Sequence, residues 1–96
     1  MIQIDISDAA KQKLKRMLLN TGKHPRILFK GLGWKGSSLE LTLDELTADD
    51  GKLLVDDIEV IFNKQDKLYV HKCRVDLDEN SENGDLKVTP FFQGFR

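Results

Sequence analysis

The chain has 96 residues, 40% hydrophobic and 32% charged, the balance of a globular domain, and its length holds one core with no room for a second. Fifteen basic residues against sixteen acidic ones leave a formal net charge of −1, which gives no large field to attract nucleic acid or an anionic membrane. The single cysteine, Cys73, excludes an internal disulfide and any four-cysteine cluster built within one chain, and it suits a reducing compartment.

The opening Met1-Ile2-Gln3-Ile4-Asp5 has no basic region followed by an apolar core, and no apolar run approaches the length of a bilayer span, so a cytoplasmic protein is expected. Ile2 and Ile4 alternate with Gln3 and Asp5, the period of a short strand with one buried face. Ser7 reads as a helix N-cap, Asp8 favours the positive end of the helix dipole, and Gly22 can supply the stop, so a helix is expected over Asp8 to Thr21. Ala10, Leu14, Met17 and Leu18 form its apolar stripe, which must lie on a sheet, while Lys11, Lys13, Lys15 and Arg16 make a solvated basic face.

After Pro25, the run from Arg26 to Lys30 reads as a strand entering a glycine-rich loop, Gly31 to Gly36. Leu39, Leu41 and Leu43 alternate with Glu40, Thr42 and Asp44 in a half-buried strand. Asp49-Asp50-Gly51 is turn chemistry, Leu53 to Val55 a brief strand, Asp56-Asp57 a second turn, and Ile58 to Phe62 another strand. Tyr69, His71, Cys73, Val75 and Leu77 are expected on one face of an extended segment. Asn83-Gly84 is the strongest hairpin signal, with Leu86 to Thr89 returning against it. One helix followed by about seven short strands points to an α+β domain, the N-terminal amphipathic helix packed on a mostly antiparallel sandwich or barrel-like sheet.

Several motifs carry chemistry in other proteins. Gly31-Leu32-Gly33-Trp34-Lys35-Gly36 spells the G-x-G-x-x-G string of dinucleotide sites, but it runs into a strand where the pyrophosphate needs a helix N-terminus. Asp76-Leu77-Asp78-Glu79-Asn80 starts like a calcium loop, then has Ser81 where the turn needs glycine and Lys87 where a bidentate glutamate belongs. His71 and Cys73, two apart, share a face if extended and are weak metal candidates; the competing reading is a buried thiol beside a core histidine. His24, in the turn before Pro25, has no evident partner. Trp34 in the glycine loop is either a partner anchor beside Lys35 or folds back over the sheet. The tail Pro90-Phe91-Phe92-Gln93-Gly94-Phe95-Arg96 either docks into its own core or buries itself against a second copy.

The order of these pieces resembles the HesB-like family of A-type iron–sulfur carriers, over almost the whole chain from Met1 to Pro90. The landmarks are Ile2-x-Ile4, Ser7-Asp8-Ala9-Ala10 before Lys13-Leu14, and Lys30-Gly31-x-Gly33-x-x-Gly36 before Leu39-x-Leu41-x-Leu43-Asp44-Glu45. Asp49-Asp50, Val55-Asp56-Asp57-Ile58-x-Val60 and Leu86-x-Val88-x-Pro90 continue them. The resemblance implies a HesB-like fold. It also implies, for the family, a cysteine after the second loop glycine and a Cys-Gly-Cys pair near the C-terminus, together a thiolate set for iron or a cluster, commonly across a dimer. This chain departs from that pattern, with Trp34 at the loop position and Phe92-Gln93-Gly94-Phe95 in the tail.

Clusters are held almost entirely by thiolates, so a chain with one cysteine is not expected to hold one by itself. The reading that follows is a cysteine-depleted HesB-like domain without enzymatic activity or cofactor. It would act as an accessory or protein-binding module, with iron–sulfur assembly components as partners, a homodimer as one form, and no nucleic-acid or membrane partner. Its candidate contact residues are Gly33, Trp34, Lys35, Gly36, Phe92 and Phe95. The alternative is an iron or zinc carrier using His71 and Cys73 from two subunits, or Asp76 and Asp78 for hard ions.

Overall fold

In the computed structural model, residues 2–34 and 36–90 are described, with the backbone alone at positions 36 and 37. The elements run β1 (Gln3–Ile6), α1 (Asp8–Leu18), β2 (His24–Gly33), β3 (Gly36–Asp44), β4 (Asp50–Val55), β5 (Ile58–Asn63), a 3₁₀ turn (Lys64–Asp66), α2 (Lys67–Val70), β6 (Lys72–Leu77) and β7 (Leu86–Pro90). The seven strands form one sheet in the order β1-β6-β7-β3-β2-β5-β4, curled until β1 and β4 touch, so the sheet is barrel-like and the fold α+β as expected.

The sheet is mixed. β2–β3, β4–β5, β6–β7 and β3–β7 are antiparallel, whereas β1 pairs with β6 and β2 with β5 in parallel. Both parallel pairs join strands far apart in sequence, a relation that neither periodicity nor turn chemistry reports.

α1 begins as its cap chemistry dictates. The Ser7 hydroxyl accepts from the Ala10 amide at 3.2 Å and donates to the Asp76 carboxylate at 2.8 Å, tying the helix start to β6. Ala10 and Leu14 are wholly buried and Leu18 packs against the core, but Met17 is 38% exposed, so the stripe is narrower than the spacing implied. The helix also stops at Leu18, short of Thr21, because Asn20 already takes φ 63° and the chain leaves the helical path before Gly22.

Three expectations fail locally. Residues 64–70 are helical, so Tyr69 and His71 do not continue the face of Cys73; Tyr69 instead stacks on Phe29 with ring centroids 3.9 Å apart. Asp50 is not a turn residue but opens β4 as a buried carboxylate. Asn83-Gly84 is not a two-residue hairpin: β6 and β7 are joined by residues 78–85, closed by the Asp78 amide donating to the Asp85 carbonyl at 2.7 Å. Asp56-Asp57, at φ 47° and 74°, takes instead the left-handed two-residue turn between β4 and β5.

Candidate functional site

The glycine segment is the tip of a long hairpin rather than a loop. β2 and β3 stay paired from His24↔Asp44 out to Gly33↔Gly36, leaving Trp34 and Lys35 as the two-residue connection. The neighbouring strands do not follow. Among the described residues β5 pairs with β2 only at Arg26 and Ile27, and β7 pairs with β3 only at Leu39, so the outer part of the hairpin reaches past these pairings as an arm. A bulge between Phe29 and Gly31 bends it there, and Gly31 takes φ 131°, a conformation that a side chain would strain.

The arm carries apolar surface into solvent. Trp34 is 92% exposed and Leu32 66%, which removes the expectation that Trp34 folds back over the sheet. Among the candidate residues, Gly33 and Gly36 are brought together as the last pair of the hairpin with Trp34 beside them. Lys35, Phe92 and Phe95 lie outside the described residues.

The metal candidates are not brought together. Cys73 lies in β6, fully buried, and burial first, then the nearby Asp5 charge, push its thiol up to about 12. A thiol in that state stays protonated and is a poor ligand. His71 sits at the end of α2 with Nδ1 2.8 Å from the Leu68 carbonyl. The two therefore do not share a strand face, which corrects that expectation. Asp76 accepts from the Ser7 hydroxyl and the Leu77 amide, each at 2.8 Å, and these bonds hold its carboxyl below the usual range. Asp78 accepts from the Asn80 amide at 3.0 Å. Among the described residues no group of three or more His, Cys, Asp or Glu is placed to hold a metal ion. No described helix is long and apolar enough to cross a membrane.

One feature of the arm's root escaped the sequence reading. Arg26, at the start of β2, donates from both terminal nitrogens to the two Asp50 oxygens at 2.6 Å, from Nε to Asp44 at 2.9 Å, and to the Glu45 carbonyl at 3.1 Å. Asp50 accepts also from the Thr47 amide at 2.8 Å, and the Arg26 bonds lower its pKa to about 2. This buried cluster fixes β2, the end of β3 and the start of β4 to one another, and so sets the base from which the arm projects. Its trace in the sequence is a lone arginine inside an apolar strand with two acids, Asp44 and Asp50, further along the chain.

No protein-family model matches the chain, and no curated protein matches it. Among solved structures, a protein from Aquifex aeolicus determined by NMR is similar at TM-score 0.65 with 16% identity, covering 95% of this chain and 94% of that one. Escherichia coli SufA, described as involved in biosynthesis of iron–sulfur clusters, is similar at TM-score 0.64 with 18% identity, covering 91% of this chain and 84% of that one. At these identities the likeness is one of fold.

Proposed function

We propose that the chain is a non-catalytic binding or accessory module on a SufA-like fold, docking a protein partner through the tip of the β2–β3 arm. The observation that carries this is Trp34, 92% exposed at the end of an arm that a buried ion-pair cluster anchors. A large aromatic side chain is costly to leave in water and is a frequent centre of binding energy. Gly33 and Gly36 let a partner approach the backbone beside it, and Lys35, Phe92 and Phe95, outside the described residues, remain candidates from the sequence alone.

The fold shared with SufA makes components of iron–sulfur assembly the partners to test first. Cluster carriage is the weaker reading, since the chain's only thiol is buried and held protonated, and the same fact disfavours carriage through His71 and Cys73. The test is to bind purified assembly proteins to the full chain, to Trp34→Ala, and to Leu54→Ala, an exposed leucine on β4 that serves as control. Trp34→Ala should weaken the interaction on the order of tenfold or more with unchanged thermal unfolding, and Leu54→Ala should leave it intact. Equal affinity of the Trp34→Ala protein would contradict the proposal.

A further inference from the structure

Of the four asparagines, only Asn83 is followed by glycine. Glycine leaves the backbone nitrogen after the asparagine open to attack its side chain, because no Cβ screens it. The pair lies in the segment that joins β6 to β7, with Asn83 exposed and Gly84 at φ 67°. The Asn63 side chain accepts from the Gln65 amide at 2.8 Å, whereas the Asn83 side-chain amide has no hydrogen-bond partner among the described residues.

The surroundings of the Asn83–Gly84 peptide favour that attack. Lys13, on α1, donates from Nζ to the Asn83 carbonyl at 3.3 Å, and a Cβ placed on Gly84 would lie 3.5 Å from the same nitrogen. The ammonium therefore sits against this one peptide group. The Gly84 amide donates to the Ser81 carbonyl at 3.4 Å, a long bond that holds its proton weakly. The Ser81 hydroxyl donates to the Asp85 carboxylate at 2.7 Å and accepts from the Asn83 and Asp85 amides at 3.3 and 3.2 Å, which keeps the turn in place. When the Gly84 nitrogen gives up its proton, peptide resonance moves the negative charge onto the Asn83 carbonyl oxygen, where the Lys13 ammonium meets it.

We infer that Asn83 is a site of self-modification, at which the Gly84 nitrogen closes on the Asn83 side-chain amide with assistance from the Lys13 ammonium. The Gly84 nitrogen loses its proton to hydroxide and bonds to Cγ of Asn83. The Cγ–Nδ2 bond breaks and ammonia leaves, giving a cyclic succinimide. Water then opens the ring. Cleavage between the Gly84 nitrogen and Cγ leaves aspartate, and cleavage between that nitrogen and the backbone carbonyl carbon leaves isoaspartate, with the chain running through the former side chain. Either route converts a neutral amide into a carboxylate without oxidation or reduction. The new charge falls on the segment that Lys13 ties to α1, and the inference holds or fails independently of the partner-docking proposal.

The test is peptide mapping by mass spectrometry on the full, folded chain held at mildly alkaline pH, with chromatography separating aspartyl from isoaspartyl forms. Asn83 should convert to a mixture of both while Asn20, Asn63 and Asn80 stay largely intact. Lys13→Gln should slow the conversion roughly threefold to fivefold, and Lys13→Arg, which keeps the cation, should restore most of the rate. Thermal unfolding should be unchanged in both variants, and in urea the unsubstituted chain and Lys13→Gln should convert at one rate. An Asn83 that stays intact in the folded chain while converting in urea would overturn the inference. Conversion of folded Lys13→Gln as fast as the unsubstituted chain, or faster, would overturn the part given to Lys13.

Discussion

Arg26 brings a guanidinium into the wall of the barrel, where it is 7% exposed, and Asp50, 8% exposed, meets it with both carboxylate oxygens. Removing one partner of such a pair strands the other charge away from water, so Asp50→Asn should destabilise the fold by about 3 kcal/mol, read by denaturant unfolding at neutral pH. The pH dependence follows from the sign of the shift. The Asp50 pKa is about 2 in the folded chain against 3.8 ordinarily, so the unfolded chain takes up the proton first as pH falls. Its contribution is whole above pH 4 and is lost as pH drops toward 2, and the Asn variant should show a flatter acid limb over that window. An identical acid profile in both proteins would contradict this account. The pairing was not legible at the residue scale, because Arg26 reads as an ordinary strand entry and Asp50 as turn chemistry; only their proximity in space makes them a pair. Trp34 was legible as an oddity, a large aromatic among glycines, but whether it turned inward depended on how far the hairpin outran its neighbours.

The β4–β5 hairpin shows how an element depends on one glycine. Gly51 stands opposite Phe62, and a Cβ placed on it would lie 2.5 Å from the Phe62 ring, which is itself 2% exposed and packed in the core. Gly51→Ala should therefore cost about 1–3 kcal/mol in thermal or denaturant unfolding, and pairing it with Phe62→Leu should recover part of the loss. Full additivity of the two substitutions would show that they do not meet. At this scale the sequence was informative wherever one period ruled: the Ser7 cap, the Leu39-Leu41-Leu43 strand and the Asp56-Asp57 turn stand as read. It misled at residues 64–70. Tyr69, His71, Cys73, Val75 and Leu77 keep a perfect alternation, yet Tyr69 sits on a helical turn that His71 caps and that lays Tyr69 over Phe29, a tertiary contact that overrides the local pattern. The arm was misread for the converse reason, since glycines that look like loop breakers are accommodated within paired strands by the bulge at Lys30.

For the whole molecule, the α+β architecture and the HesB-like resemblance could be read from the order of weak landmarks, and the SufA-like fold agrees with them at 18% identity. The closure of the sheet through the parallel pairs β1–β6 and β2–β5 could not, because long-range pairing leaves no periodic mark. On the proposed reading this barrel presents a protein-contact arm and no thiolate centre, its only cysteine being buried within β6. Anaerobic reconstitution with ferrous iron and sulfide, read by visible absorption and metal analysis after desalting, tests that claim most directly. The account predicts a colourless, metal-free protein that remains folded; a stable chromophore with stoichiometric iron would contradict it.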